Sequence, residues 1–395
     1  MRKEVLKTSI DVLATSWPPG CTCMRAMSDR LVYADAPARV YWEITRSCDL
    51  ACQHCRAEAA PCADPRELDH ATGLRILAML AKAEPKPHVV LTGGDPLKRA
   101  DLFELIAAGR ALGLGISVSP SATPLLTPAV IRRLKDAGVE AISLSIDGAS
   151  AESHDAIRQV PGTFARTMEA AKAAREADLP FQVNTLVSAE TIDEMEGIET
   201  LVRSIGAARW SLFFLVTVGR GTVLNPIDGD RAESLLRWLA ERSMVPGGPI
   251  YTTTEAPHYR RVVSQLHLSG GAARPAGRGH AGRPGHGAGI RDGNGVMFIA
   301  HDGEVSPSGF LPVSAGNVKI ENPLTIYRES LLFRTLRDVD GFRGRCGRCE
   351  YRAACGGSRA RAWAATDDVL AEDPLCTHQP RAQETLTMAS PPTST

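Results

Sequence analysis

Aromatic side chains are scarce in this chain. Its 9 Phe, 5 Trp and 6 Tyr make up 5% of 395 residues, too few to build stacking platforms for nucleic-acid bases. Net charge is absent as well. The 45 Lys and Arg balance the 45 Asp and Glu, so no global field draws the chain to nucleic acid or to an anionic membrane. Nor does any apolar run approach the roughly 20 residues that span a bilayer, and the opening stretch MRKEVLKTSIDVLATSWPPG is broken throughout by charge and proline. The expectation is a cytoplasmic globular protein with no nucleic-acid or membrane partner. A hydrophobic content of 44% supports a buried core, and the length allows two or more domains.

What the chain does hold is clustered cysteine. Cys48, Cys52, Cys55 and Cys62 form one group, Cys346, Cys349, Cys355 and Cys376 another, and Cys21 and Cys23 a third. In a reducing compartment, thiols this close together hold zinc or an iron–sulfur cluster more often than they form disulfides.

From about Pro37 to Leu215, short aliphatic runs alternate with helical patterns, the mark of repeated βα units. Six strands are predicted: Val40 to Ile44, His88 to Thr92, Gly115 to Ser119, Ala141 to Ile146, Phe181 to Leu186 and Arg209 to Leu215. Gly113 and Gly138 stand where helices should stop. Runs that read as apolar on both faces argue for a parallel sheet covered on both sides. Six units rather than eight predict an α/β fold, an open, partial (β/α)6 TIM-like barrel with its working loops at the strand C-termini. After a further helix near Asp230 to Ala240, the stretch from Leu268 to Gly295 is dominated by Gly, Ala, Arg and His and cannot pack a core. It reads as a linker or lid, with His280 and His286 solvated. The predicted division is an extension (1–36), a barrel (37–230), a bridging helix and linker (231–295), a small cysteine-bearing module (296–380) with a hairpin around His301-Asp302-Gly303, and a tail (381–395).

Cys48, Cys52 and Cys55 form C-x3-C-x2-C directly after the first strand, on a loop at the top of the sheet. Three thiolates leave one coordination position open, which suits a cofactor or substrate better than a closed structural site. The plainer reading is structural zinc completed by His54 or Cys62. Cys346, Cys349, Cys355 and Cys376 form C-x2-C-x5-C with a distant fourth thiol, enough to close a site by themselves. A zinc ribbon is the alternative there. Cys62, Cys21 and Cys23 fit plain thiols, and the residues before Met27 read as dispensable.

The triple and the six-unit alternation resemble the radical S-adenosylmethionine (SAM) superfamily. The resemblance implies that Cys48, Cys52 and Cys55 hold a [4Fe-4S] cluster whose open iron chelates SAM, and that electron transfer from it releases a 5'-deoxyadenosyl radical. It implies SAM contacts at Gly93, Gly94 and Asp95, where the family more often has Glu in place of Asp95. It also implies them at Ser145, closing the fourth strand, at Arg158 toward the SAM carboxylate, and at Asn184 toward the ribose. The second cysteine group resembles the SPASM auxiliary-cluster extension. A full extension holds two clusters, but Arg359 stands where a further Cys is expected, and Ser306 and Ser308 occupy the neighbourhood of another. One auxiliary [4Fe-4S] cluster is therefore implied, at Cys346, Cys349, Cys355 and Cys376. A flavodoxin or ferredoxin would donate electrons.

The run WEITRSCDLACQHCRAEA is similar to the SPASM branch acting in haem biosynthesis, which implies a tetrapyrrole substrate whose carboxylate side chains are modified. Arg260 and Arg261 would then meet those carboxylates, and Glu255 and His258 are the catalytic candidates. Maturation of a ribosomal peptide is the alternative within the same extension family. The 36 residues before the barrel are too short for the leader-recognition module it would need. A non-catalytic iron–sulfur carrier is the alternative from another class.

Overall fold

The computed structural model describes residues 33–270 and 289–381. Cys21, Cys23, Met27, His280, His286 and most of the expected tail lie outside the described residues. The strands are β1 Arg39–Thr45, β2 His88–Gly93, β3 Gly115–Val118, β4 Ala141–Ser145, β5 Phe181–Val187, β6 Arg209–Phe214, β7 Ile250–Thr254, β8 Val296–Ile299, β9 Glu304–Ser306 and β10 Gly316–Asn317. They form one sheet in the order β10-β9-β8-β1-β2-β3-β4-β5-β6-β7, parallel from β8 through to β7.

The six expected strands are present to within two residues at each end. β7 and β8 extend the parallel sheet across both expected boundaries, 230 and 295. The segment read as a bridge thus supplies a strand beside β6, and the small module supplies one beside β1. The hairpin at Gly303 is present as β8 and β9.

The strands differ from the expectation in one physical respect: only one face is uniformly apolar. Val40, Trp42 and Ile44 on β1, Val89 and Leu91 on β2, Ile116 and Val118 on β3, and Trp210 and Leu212 on β6 are fully buried. Together with helices such as His70–Leu80 and Leu102–Ala111 they form the main core. The alternate residues, among them Tyr41, Thr92, Ser117, Ser143, Gln182 and Ser211, line an internal cavity of about 830 Å³. Because the side-chain period along a strand is two, one set packs on helices while the other faces a lumen. That is the concave face of a partial barrel.

Local signals set the helix ends. Asp69 and Thr127 accept hydrogen bonds from Thr72 N and Val130 N at their helix starts. Gly113 and Gly138 take left-handed backbone, with φ of +76° and +83°, where helices stop. No helix among the described residues is long and apolar enough to cross a membrane.

Candidate active site

The loop after β1 is held by side chains aimed at its carbonyls. Arg46 Nε donates to Ala57 O at 2.7 Å, and Ser47 Oγ to Pro61 O at 2.8 Å. From a distant turn, Arg220 Nε donates to Cys52 O at 3.0 Å and Nη1 to Ala59 O at 2.9 Å, while its backbone N reaches Cys55 O at 3.1 Å. Sequence reading missed Arg220, because no motif marks an arginine that clamps a loop over 160 residues away.

So fixed, Cys48 and Cys52 are buried together with Leu50 and Ala59, and Cys55 packs against them. Each sulfur has a donor. Leu50 N lies 3.4 Å from Cys48 Sγ, Arg158 Nη1 3.6 Å from Cys52 Sγ and Ala59 N 3.5 Å from Cys55 Sγ. Burial pushes the Cys48 thiol up, so a thiolate there is favoured only when a positive charge such as a metal stands against it. Three sulfurs with N–H donors in a partly apolar pocket suit an iron–sulfur cluster, whose potential such bonds tune.

Gly93, Gly94, Ser145, Asn184 and Arg158 all line the cavity. Gly94 is fixed by close approach: a Cβ there would lie 2.4 Å from Ser47 O and 2.7 Å from Arg46 O. Its N–H donates to Thr45 O at 2.8 Å, tying the end of β2 to the root of the cysteine loop. Asn184 accepts from Gln182 Nε2 at 2.6 Å through Oδ1, which leaves its amide donors to the lumen.

Asp95 differs from expectation. It is fully buried, and its carboxylate accepts from Leu97 N at 3.1 Å, Ser121 N at 3.3 Å and Thr123 Oγ1 at 2.8 Å. It caps a short turn and joins two strand ends rather than facing the cavity. Arg158 lies on the cavity wall, but Asp147 already holds its charge at 2.5 Å.

At the other side, Cys346, Cys349, Cys355 and Cys376 line one small pocket together. Donors again address the sulfurs. Tyr351 N reaches Cys349 at 3.4 Å, Gly357 N reaches Cys355 at 3.4 Å, and Cys346 receives Asp373 N at 3.4 Å and Arg359 Nη2 at 3.5 Å. Burial pushes Cys349 up to about 11 and Cys355 up to about 12. Glu350 and His378 stand against Cys349, their donor atoms and its Sγ all within 4.8 Å. Arg359 is fully buried, stacked 4.6 Å from the Phe342 ring, and donates to Ala371 O at 2.7 Å. It is a structural brace of this pocket. Cys62 is exposed and belongs to neither group.

The remaining candidates divide. Glu255 lies in the cavity wall with a backbone φ of +57°. It accepts from Ser358 Oγ at 2.5 Å, and burial, then Asp292 beside it, hold its pKa well above the usual carboxylate range. His258 does not face the cavity. It is 1% exposed, and burial lowers its pKa to about 4. It lies 3.9 Å from Asp373, so it is a neutral packing residue rather than an acid or ligand for substrate.

Arg261 is also turned away. It is 3% exposed and pairs with Glu233 and Gln265, which corrects its expected meeting with a substrate carboxylate. Arg260 borders the cavity but spends its N–H groups on Ile290 O at 2.5 Å and Ala354 O at 3.2 Å.

The radical SAM superfamily model matches residues 42–202. The AdoMet-dependent heme synthase of Methanosarcina barkeri is 37% identical over 350 residues, covering 89% of this chain and 99% of that protein. The AdoMet-dependent heme synthase of Oleidesulfovibrio alaskensis is 38% identical over 344 residues, covering 87% of each. Among solved structures, Streptococcus suis SuiB bound to its precursor peptide SuiA is similar in fold, with a TM-score of 0.65 at 14% identity over 90% of this chain and 79% of that one. Family membership brings with it a [4Fe-4S] cluster, SAM, a reductant and a substrate. With a relative matched along nearly its whole length, a family model over the barrel and thiols placed at its mouth, this chain belongs to the radical SAM superfamily, in the group that contains the AdoMet-dependent heme synthases.

Proposed function

We propose that this enzyme removes or shortens carboxylate side chains of a haem-pathway iron tetrapyrrole, acting in the reducing cytoplasm with a flavodoxin or ferredoxin as electron donor. The observation that carries this reading is the continuity of the lumen. It runs from Leu50, Gly93 and Gly94, beside the three-thiol loop, to Asp292 and Ser358, which adjoin the four-thiol pocket. A substrate in it would lie between two redox sites, and the most similar relatives carry the name heme synthase.

In this reading Cys48, Cys52 and Cys55 hold the cluster that binds SAM, and Cys346, Cys349, Cys355 and Cys376 hold one auxiliary [4Fe-4S] cluster. Four thiols with N–H···S bonds support the closed site. When bound, the first cluster supplies the electron that cleaves SAM to methionine and a hydrogen-abstracting 5'-deoxyadenosyl radical. The chain's own residues position and exclude. Gly94, Ser145 and Asn184 offer SAM a close backbone approach, a hydroxyl and free amide donors. Arg220 and Arg46 keep the thiols fixed and the loop closed over the lumen. Glu255, enclosed beside Asp292 with its pKa held well above the usual carboxylate range, favours the uncharged form and so lessens the repulsion that an anionic group would meet on this wall.

The test is anaerobic incubation of the reconstituted protein with SAM, reductant and iron coproporphyrin, followed by mass spectrometry of the tetrapyrrole. Loss of side-chain carboxylate with matching 5'-deoxyadenosine is expected. An unchanged tetrapyrrole, with SAM cleaved all the same, would leave radical chemistry on another substrate.

A further inference from the structure

The end of β7 is joined to the four-thiol pocket by a short run of hydrogen bonds. Glu255 directly follows β7 and lines the lumen, as does Ser358. Ser358 Oγ donates to Glu255 Oε2 at 2.5 Å. Ser358 N donates to Asp373 Oδ2 at 2.8 Å, and Asp373 N reaches Cys346 Sγ at 3.4 Å. Ser358 and Asp373 alone therefore stand between a carboxyl group on the lumen wall and a sulfur of the second thiol group.

The run is enclosed and braced. Ser358 and Asp373 are each 1% exposed. Arg361 Nη1 donates to Asp373 Oδ1 at 3.2 Å while its Nη2 donates to Glu255 O at 2.7 Å, so one guanidinium holds both ends. Asp292, also on the lumen wall, accepts from Arg359 N and Ala360 N at 3.0 Å each, and Arg359 Nη2 gives Cys346 Sγ its second donor at 3.5 Å. The turn 358–360 thus touches two lumen acids and the sulfur at once. Glu255 itself takes left-handed backbone, with φ of +57°. Residues other than glycine hold that conformation only where their surroundings fix it, and such residues gather at ligand sites. Burial, then Asp292, raise its pKa, the direction that eases the approach of an anion.

Resting on the tetrapyrrole and auxiliary-cluster readings, we propose that Glu255 is a positioning residue that meets an anionic group of the substrate and, through Ser358 and Asp373, couples occupation of the lumen to the auxiliary cluster. An anion held at Glu255 opposes the electron that reduction adds to the cluster. Its pull on Ser358 reaches Asp373, whose N–H bond to Cys346 is of the kind that tunes a cluster's potential. Linkage makes the effect reciprocal: a ligand that lowers the potential is itself bound more weakly, by the same factor, once the cluster is reduced. Substrate then binds best to the oxidised cluster, and reduction favours release. A coupling of about tenfold, inside the usual range for two linked sites, corresponds to about 59 mV for one electron.

The test is a potentiometric titration of full-length, reconstituted, SAM-bound protein, followed by electron paramagnetic resonance. The probe is gallium coproporphyrin III at saturation, which keeps the ring, its carboxylates and a trivalent metal without the redox step of iron. The auxiliary signal is the one missing from the Cys346, Cys349 and Cys355 variant. In wild type the probe should lower its midpoint by about 59 mV. Glu255→Gln, which keeps an acceptor for Ser358, should retain most of that shift. Glu255→Ala and Ser358→Ala should lose most of it, with iron content and SAM affinity unchanged; if Ser358→Ala does not fold, Glu255→Ala carries the test by itself. A wild-type midpoint that stays put although the probe binds, or an undiminished shift in the alanine variants, would overturn the coupling and leave the tetrapyrrole reading standing. If the probe does not bind, the tetrapyrrole reading falls, and the coupling with it.

Discussion

Arg158 stands between an acid and a sulfur: its Nη2 lies 2.5 Å from Asp147 Oδ2, and its Nη1 lies 3.6 Å from Cys52 Sγ. The residue expected to grip the SAM carboxylate is thus already paired. Burial works against both charges, yet Asp147 is held low and Arg158 high by their mutual attraction. Asp147 also accepts from Leu186 N at 2.7 Å, which ties the pair to the sheet. Asp147→Asn should cost roughly 3–5 kcal/mol by leaving a largely buried guanidinium uncompensated, read as a fall in the unfolding midpoint. Arg158→Lys should keep the charge but lose the fork, and should shift the potential of the SAM-binding cluster. A variant with wild-type potential would show that Arg158 does not act on the sulfur.

Iron content separates the two thiol groups. Two four-iron clusters correspond to about eight iron atoms per chain. Replacing Cys48, Cys52 and Cys55 with Ala should halve the iron and abolish SAM cleavage. Replacing Cys346, Cys349 and Cys355 with Ala should halve the iron but leave SAM cleavage uncoupled from product. Zinc in the protein, with no loss of iron in the second variant, would mean that His378 and Glu350 belong to a zinc site instead.

The contact between the cysteine loop and the small module is expected to depend on pH. Glu43 is buried between Arg56, at 2.8 Å, and His301, at 3.0 Å, and His301 also faces Asp64 at 3.3 Å. Burial would raise Glu43, but Arg56 and His301 outweigh it and lower its pKa. Burial would lower His301, but Glu43 and then Asp302 outweigh it, against Arg46, and raise its pKa. The stabilisation from Glu43 is present above its unfolded value near 4.5 and is lost as pH falls through the lowered pKa. That from His301 is complete below its unfolded value near 6.5 and is lost as pH rises through the raised one. Both are in force between about 4.5 and 6.5. The unfolding midpoint of His301→Gln should therefore lie furthest below wild type in that window and approach it at higher pH. A difference that is flat with pH would remove the pairing.

Gly94→Ala should fail at the loop, because the added methyl meets backbone oxygens of Arg46 and Ser47 that cannot swing away. Reduced cluster yield with an intact far-ultraviolet spectrum is expected. Full iron loading would show that the loop tolerates the shift.

The sequence made the barrel legible because strand period and helix stops are local: Val40, Trp42 and Ile44 alternate, and Gly138 ends a helix. β7 and β8 were not placed in the barrel sheet, because IYTTT and VMFI are short and their partners β6 and β1 are set by distant register. Cysteine spacing showed both thiol groups, since metal chemistry needs those residues close in sequence as well as in space. Arginine roles stayed hidden. Arg261 meets Glu233 from the preceding helix, Arg260 meets carbonyls and Arg220 clamps a loop, and nothing in composition separates these roles from one another.

The most direct measurement is the mass of iron coproporphyrin after anaerobic turnover with SAM and reductant, taken beside the yield of 5'-deoxyadenosine. The expected result is loss of carbon dioxide and two hydrogens from propionate side chains, one 5'-deoxyadenosine for each side chain changed, and none in the Cys48, Cys52 and Cys55 variant. An unaltered tetrapyrrole from wild-type protein that cleaves SAM freely would contradict it.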